Sequence, residues 1–335
     1  MVVSDKQELR RCVKQAVRRA CVCEAELSFD LMHGELGIEA MLDTWARPAA
    51  TPSESMRRSC ADQTPFSEHA AAMFAALDAL DFPVNDLDRA VSMQRSYDRS
   101  TYLREVLDAM RAKYVLVRVS VQKAAQVQLE DERFGVLLAA DEELFLPGRY
   151  GVDYAAAARR IADTAQACGS QNLSVHGFDE QRLRYCILPA CQDAGLTLHI
   201  SLDCEEEVLR FVQLLDLFDG VYALVSAGED AQKALIDAAA QRIRIMVRLG
   251  GVDALGYALK TLGSSRVVPF AACASLPEMM LGRWSGAKEQ IWPALSDLYL
   301  PLARSGFELQ SAAIERDVNR LLSGNLLSIC RRETV

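Results

Sequence analysis

The chain has 335 residues, half of them apolar and a quarter charged, so it is long enough to bury a sizeable core. Its net charge of −9 at pH 7 argues against nucleic-acid binding, for which a basic stripe is expected. The sequence contains no apolar run of membrane-spanning length and no signal-peptide core, so we expect no membrane association. Ten cysteines without a CxxC pair indicate free thiols in a reducing compartment, and we predict a cytoplasmic protein.

The N-terminal third differs in pattern from the rest of the chain. Helical periodicity over residues 5–19 precedes an alternating segment, residues 21–32, that is typical of a strand. Residues 34–100 show no strand pattern and consist of helical pieces separated by prolines. We therefore predict that residues 34–100 form a helical insertion, or cap, after the first strand.

From residue 101 onwards, short apolar runs alternate with amphipathic helical segments, which is typical of a parallel sheet covered by helices. The predicted strands are residues 21–32, 114–120, 134–140, 172–178, 196–202, 220–226, 243–250 and 267–275. Pro269 weakens the last of these, because proline cannot donate to a strand ladder. Eight such units without a glycine-rich nucleotide-binding loop favour a (β/α)8 TIM barrel, a single α/β domain over residues 1–335.

Three segments carry a resemblance to a known family. Residues 193–203 (DAGLTLHISLD) are similar to its fifth strand, residues 265–278 (SRVVPFAACASLPE) to its eighth strand, and residues 315–330 to its final helix. Together with the insertion after the first strand, they resemble the amidohydrolase superfamily, in particular its amidohydrolase-related branch and the uronate isomerases. The resemblance implies a TIM barrel that binds a divalent metal at the C-terminal mouth of the strands.

The metal ligands that this resemblance implies are missing from the matching positions. The His-x-His of the first strand falls on residues 26–28 (ELS), the histidine of the fifth strand on Ser201, and the aspartate of the eighth strand on Ala272. The whole chain contains four histidines, which are His33, His69, His176 and His199. We therefore predict a degenerate member of the family that lacks the usual metal centre.

The candidate catalytic residues are His199, His176 and Asp203, because imidazole and carboxylate groups serve in acid–base chemistry. Strand alternation places His199, Ser201 and Asp203 on one face, towards the end of the strand where barrel active sites lie. Both histidines lie in apolar strands, where a hydrogen-bonded core role is the alternative.

The candidate ligand-binding residues are Arg248, Glu26 and Ser201. Arg248 lies near the end of the seventh predicted strand, where its guanidinium can pair with a carboxylate or phosphate of a ligand. The alternative for Arg248 is an internal ion pair with Glu26 or Asp203.

Two hypotheses follow. The first is a cofactor-free pseudoenzyme that binds a small polar or acidic molecule at the barrel mouth, and a homo-oligomer is compatible with it. The alternative is an active metal-dependent hydrolase, or a uronate-isomerase-like sugar-acid enzyme, that uses a divalent metal such as zinc with His176, His199, Asp203 and Arg248. A third, weaker hypothesis is a structural subunit whose mouth is plugged by the predicted insertion.

Overall fold

The computed structural model describes residues 6–28, 36–45, 67–124, 127, 129, 131–147 and 151–331. Within these residues, the strands form one parallel sheet in chain order, as the alternating pattern predicts. The strands are β1 Val22–Leu27, β2 Ala112–Ser120, β3 Phe134–Ala139, β4 Asn172–His176, β5 Thr197–Leu202, β6 Tyr222–Ala227, β7 Ile245–Arg248 and β8 Val267–Val268.

The sheet closes on itself beyond the end of β8. Leu27, the last residue of β1, forms a parallel bridge with Ala274, and the Ser28 N–H donates to the Ala274 carbonyl at 2.9 Å. The β8 ladder is short and ends before Pro269, which has no N–H to donate. The closed arrangement confirms the predicted (β/α)8 barrel.

Helices surround the barrel. They are α1 Lys6–Arg19, α2 Ile38–Trp45, α3 Glu68–Ala79, α4 Leu87–Gln94, α5 Arg99–Met110, α6 Tyr154–Cys168, α7 Glu180–Arg182, α8 Leu188–Ala194, α9 Glu205–Leu215, α10 Gln232–Ala240, α11 Leu255–Leu262, α12 Pro277–Arg304, α13 Ser311–Asn319 and α14 Asn325–Arg331. Short polar residues start several of them: the Asp153 carboxylate accepts the Ala156 N–H at 2.9 Å, which caps α6. The described helices are all too short or too polar to cross a membrane.

The predicted insertion is helical where the structure describes it, and it contributes α2, α3 and α4. Helix α3 packs against α12 so closely that a Cβ atom on Gly282 would lie 1.8 Å from the Ala72 carbonyl oxygen. Residues 29–35 and 46–66 of this region lie outside the described residues. The insertion therefore contacts the barrel's helical layer through α12.

The C-terminal helix α14 closes the lower end of the barrel, where the strands begin. Leu326 and Leu327 pack there against Leu116 and Leu137, which face the barrel interior. The Asn325 amide, also in α14, donates to the carbonyl oxygens of residues 264 and 267 at 2.6 and 2.7 Å. The mouth is therefore at the opposite end of the barrel, where the strands have their C-terminal ends.

Candidate functional site

Polar side chains from six of the eight strands meet at the barrel mouth. The register pairs His176 on β4 with Ser201 on β5, and Ser201 with Ser226 on β6. With Glu26 at the end of β1, they form the mouth cluster, which consists of Glu26, Arg118, His176, Ser201, Ser226 and Arg248.

Glu26 is the carboxylate that the basic groups of the mouth cluster share. Its oxygens lie 3.4 Å from His176 Nε2, 3.7 Å from Arg118 Nε and 3.7 Å from Arg248 Nη1. Burial alone raises the pKa of Glu26, but the hydrogen bond from His176 and the charges of Arg248 and Arg118 outweigh it and hold the pKa below its ordinary value. Glu26 is therefore ionised at neutral pH. Its pairing with Arg248 is the internal ion pair that the sequence left open.

Two serine hydroxyls hold the Arg248 guanidinium in place. Arg248 Nη2 donates to Ser201 Oγ at 3.1 Å and to Ser226 Oγ at 3.0 Å, and the two hydroxyl oxygens are 2.9 Å apart. A guanidinium carries five N–H donors, so these two contacts orient the group and leave donors for a ligand. Arg248 is thus a fixed cation on the inner wall of the mouth.

A cavity of about 150 Å³ lies beside the mouth cluster, at the ends of β2, β3 and β4. Its acidic and basic lining residues are Arg118, Asp141, Glu142, His176, Asp179 and Arg182. Arg118 Nη2 donates to Asp141 Oδ1 at 2.8 Å, and Arg182 donates to both oxygens of Glu142 at 2.5 and 2.8 Å. Asp141 and Glu142 therefore pair with arginines around the cavity.

His199 lies one layer below the mouth cluster, since its strand partner is Ser174 rather than His176. The ring is 4% exposed, and its Nε2 lies 3.0 Å from Asn172 Oδ1. The Asn172 amide nitrogen donates in turn to the Cys330 carbonyl at 3.1 Å. Burial, and to a smaller extent the charge of Arg248, lower the pKa of His199 to about 3, although the charge of Glu26 opposes them. The imidazole is therefore neutral, and it donates its Nε2 proton to Asn172.

Asp203 also lies outside the mouth cluster. It is exposed beyond the end of β5, where its backbone N–H donates to a Glu207 carboxylate oxygen at 2.8 Å. The structure thus brings together Glu26, His176, Ser201 and Arg248 from the sequence-predicted set. It leaves His199 beneath them and Asp203 beside them.

The sequence analysis missed Arg118, Ser226 and Asp141. Arg118 carried a signal, because it is a charged residue near the end of the otherwise apolar run 114–120. Cys273, beyond β8, is an exposed residue, and desolvation of its sulfur raises the pKa of the thiol to about 11.

The described residues do not fit the divalent metal that the family resemblance implies. In this part of the chain, no three His, Cys, Asp or Glu side chains converge as metal ligands. Glu26 and His176 form one pair of donors, but Arg118 and Arg248 flank it, and two positive charges oppose the binding of a cation. Ala272 stands where the resemblance implies an aspartate, and its side chain offers no ligand. His33 lies outside the described residues.

The whole chain is similar to a solved structure. The crystal structure of a uronate isomerase from Bacillus halodurans C-125 superimposes with a TM-score of 0.82 at 17% identity, over 98% of this chain and 97% of that one. This chain has the fold of a uronate isomerase. No family model matches the sequence, and no curated protein matches it. The similarity confirms the uronate-isomerase-like TIM barrel that the segments at residues 193–203 and 265–278 implied.

Proposed function

We propose that this protein binds a small sugar acid at the barrel mouth without the usual metal centre. The observation that carries the proposal is the mouth cluster, in which Arg118 and Arg248 flank a single buried carboxylate, Glu26. Arg118 also pairs with Asp141 at 2.8 Å, so its charge is neutralised within the protein. Arg248 has N–H donors beyond those that contact Glu26 and the two serines, and we propose that these donors pair with a ligand carboxylate. The uronate isomerase that shares the fold supports a uronate as the ligand class.

The proposed roles follow from the contacts of each group. Arg248, held by two serines, pairs with the ligand carboxylate, and Arg118, itself paired with Asp141, lines the adjoining cavity. Glu26 accepts hydrogen bonds from sugar hydroxyl groups, and His176, whose side chain is half exposed, reaches the ligand from β4. Since binding uses fixed protein charges, we propose that it needs no cofactor.

The binding test is isothermal titration calorimetry of the purified protein with D-glucuronate in the presence of EDTA. D-glucose is the matched control, because it has a hydroxymethyl group in place of the carboxylate. We expect saturable binding of glucuronate and none of glucose at the same concentrations. Equal binding of both sugars, or binding of glucuronate only after zinc is added, would overturn the proposal.

A second candidate is catalysis by proton transfer, which the 3.4 Å contact between His176 Nε2 and Glu26 favours. A histidine beside a carboxylate can take a proton from the carbon next to a sugar aldehyde, which is the first step of aldose–ketose isomerisation. The test is incubation of glucuronate with the protein in D2O, followed by proton NMR. Exchange with solvent removes the signal of the hydrogen bound to that carbon. We expect any exchange to disappear in His176→Asn, and a parallel sample with zinc tests the metal-dependent alternative.

We also propose a reducing compartment, such as the cytoplasm, as the site of action. The nine cysteines among the described residues are all free thiols, and several of them, including Cys12, Cys186 and Cys191, are buried in the core. Free buried thiols are typical of proteins that work where disulfides do not form.

A further inference from the structure

Strand β1 carries an extra residue just before the mouth. Glu24 pairs with Val115 on β2, and Leu27 pairs with Val117, so three steps along β1 match two steps along β2. This mismatch is a β-bulge, in which one residue is left without a ladder partner and the strand bends.

The bulge decides which way Glu26 points. Glu24 and Leu27 both face outwards: the Glu24 carboxylate contacts Trp284 of α12, and Leu27 packs in the core outside the barrel. Ala25 faces the interior, and the next residue, Glu26, also faces it and joins the mouth cluster. In a regular strand, Glu26 would share the outward face of Glu24, because side chains alternate.

The Glu24 carboxylate holds this bulge from the outer side. Its Oε1 accepts the backbone N–H of Glu26 at 3.1 Å, and its Oε2 accepts the Ala272 N–H and the Trp284 Nε1–H at 2.8 Å each. Glu24 is fully buried, which raises the pKa of its carboxyl, while these three donors lower it. The acceptor for the Glu26 N–H is therefore the side chain of Glu24.

We propose that Glu24 is a positioning residue that turns Glu26 into the barrel mouth. It acts through the backbone of Glu26 and does not touch the ligand. This inference rests on the proposed function, since it assigns Glu24 a part in the same ligand site. The Ala272 N–H occupies the other carboxylate oxygen, so the segment after β8 is tied to the same bulge.

Glu24→Gln is the sharpest variant. The amide oxygen of the glutamine can keep the hydrogen bonds from Ala272 and Trp284, which hold β1 to the segment after β8 and to α12. Its NH2 group takes the place of the oxygen that accepts the Glu26 N–H. Two donors then face each other, and the bulge loses its anchor. The matched control is Glu278→Gln, which changes another fully buried carboxylate at the start of α12. Glu278 accepts the Gly37 N–H at 2.5 Å, on the outer side of the barrel among the described helices.

The test combines two readouts on the full chain. The first is a ¹³C NMR titration of the Glu26 carboxyl without ligand, assigned with Glu26→Gln. We expect Glu24→Gln to raise the pKa of Glu26 towards its ordinary value, because the carboxyl leaves His176, Arg248 and Arg118. The second readout is calorimetric affinity for D-glucuronate, which should fall about tenfold, as expected for loss of one charge-assisted hydrogen bond. Glu278→Gln should change neither.

The readouts separate the two proposals. A titration shift in Glu24→Gln without glucuronate binding by the wild type would support the positioning role and contradict the proposed ligand. An unchanged Glu26 titration in a folded Glu24→Gln protein, or an equal shift in Glu278→Gln, would overturn the positioning role. If Glu24→Gln does not fold, the same two readouts are applied to Glu24→Asp. The aspartate side chain is shorter by one methylene, so its carboxylate cannot reach all three donors.

Discussion

Two histidines on neighbouring strands have opposite environments. His176 on β4 and His199 on β5 both face the barrel interior, but the side chain of His176 is 51% exposed while that of His199 is almost fully buried. His176 contacts a carboxylate at the mouth, and His199 contacts a neutral amide below it. The difference is a depth of two residues along the strand. Position along a barrel strand, as well as the face, decides whether a histidine can meet a ligand.

The same contrast separates the mouth cluster from the layer beneath it. We call Asn172, Thr197, His199 and Cys330 the floor cluster. Its side chains bond to the backbone of α14: Asn172 donates to the Cys330 carbonyl, and Thr197 Oγ1 donates to the Ile329 carbonyl at 2.9 Å. The mouth cluster is charged and includes the half-exposed His176, whereas the floor cluster is neutral and fully buried. We therefore expect mouth variants to change binding and floor variants to change stability.

The largest expected effect is on the mouth side, from Arg248→Met. We expect affinity for D-glucuronate to fall at least about a hundredfold, because the charge-assisted hydrogen bonds to the ligand carboxylate are lost. Calorimetry measures it. Arg242→Met is the matched control, since Arg242 precedes the same strand at its opposite end and pairs with Asp216 at 2.8 Å. An equal loss in both variants would contradict the assignment of Arg248.

On the floor side, His199→Leu should lower the free energy of unfolding by about 2 kcal/mol at pH 7, because Asn172 Oδ1 loses its donor. The folded pKa of about 3 lies below the ordinary 6.5, so the unfolded wild type takes up a proton first as the pH falls. The contribution of His199 to the free energy of unfolding of the wild type therefore declines by about 1.4 kcal/mol for each pH unit below 6.5. The difference in the free energy of unfolding between the wild type and His199→Leu should thus vanish near about pH 5, and the variant should be the more stable protein below that pH.

Urea denaturation of the wild type and His199→Leu at pH 7, 6, 5 and 4 provides this comparison. Subtracting the stability of the variant from that of the wild type at each pH removes the contribution of the carboxylates, because both proteins protonate them alike. A difference that stays constant or grows as the pH falls would show that His199 is charged in the folded protein.

A smaller floor effect is expected from Thr197→Val, which keeps the side-chain shape but removes the hydroxyl that donates to Ile329. Loss of one buried hydrogen bond should lower the free energy of unfolding by about 1 kcal/mol. Glucuronate affinity should remain at the wild-type value in calorimetry. A weaker affinity without loss of stability would mean that the floor and mouth clusters are coupled.

The smallest expected effect is from Ser201→Ala at the mouth. Arg248 Nη2 keeps its bond to Ser226 at 3.0 Å, so the guanidinium stays in place and affinity should fall only about threefold. Removal of both hydroxyls, in the double variant Ser201→Ala and Ser226→Ala, should lower the affinity for D-glucuronate about tenfold. A single variant as weak as the double variant would show that one serine alone orients the arginine.

The strands and their order were predictable from the sequence because each is a short apolar run before an amphipathic helix. Even the weakness of β8 was readable, since Pro269 interrupts the run. The sequence also predicts that His176, Ser201 and Arg248 lie close together, because the C-terminal ends of parallel strands meet at the same end of a barrel.

The contributions of Glu26 and His199 were harder to predict. The inward direction of Glu26 depends on the bulge after Glu24, and simple alternation would place its side chain on the outer face. The depth of His199 depends on the stagger between strands and on the position of α14, whose Cys330 comes 131 residues later in the chain. Both are long-range features that local pattern does not contain.

The most direct test of this account is a crossed calorimetric titration of D-glucuronate into the wild type, Arg248→Met and His199→Leu under one set of conditions. We predict that His199→Leu keeps wild-type affinity despite its lower stability, while folded Arg248→Met loses at least about a hundredfold. Loss of binding in His199→Leu with retention in Arg248→Met would contradict the account and move the functional site to the floor cluster.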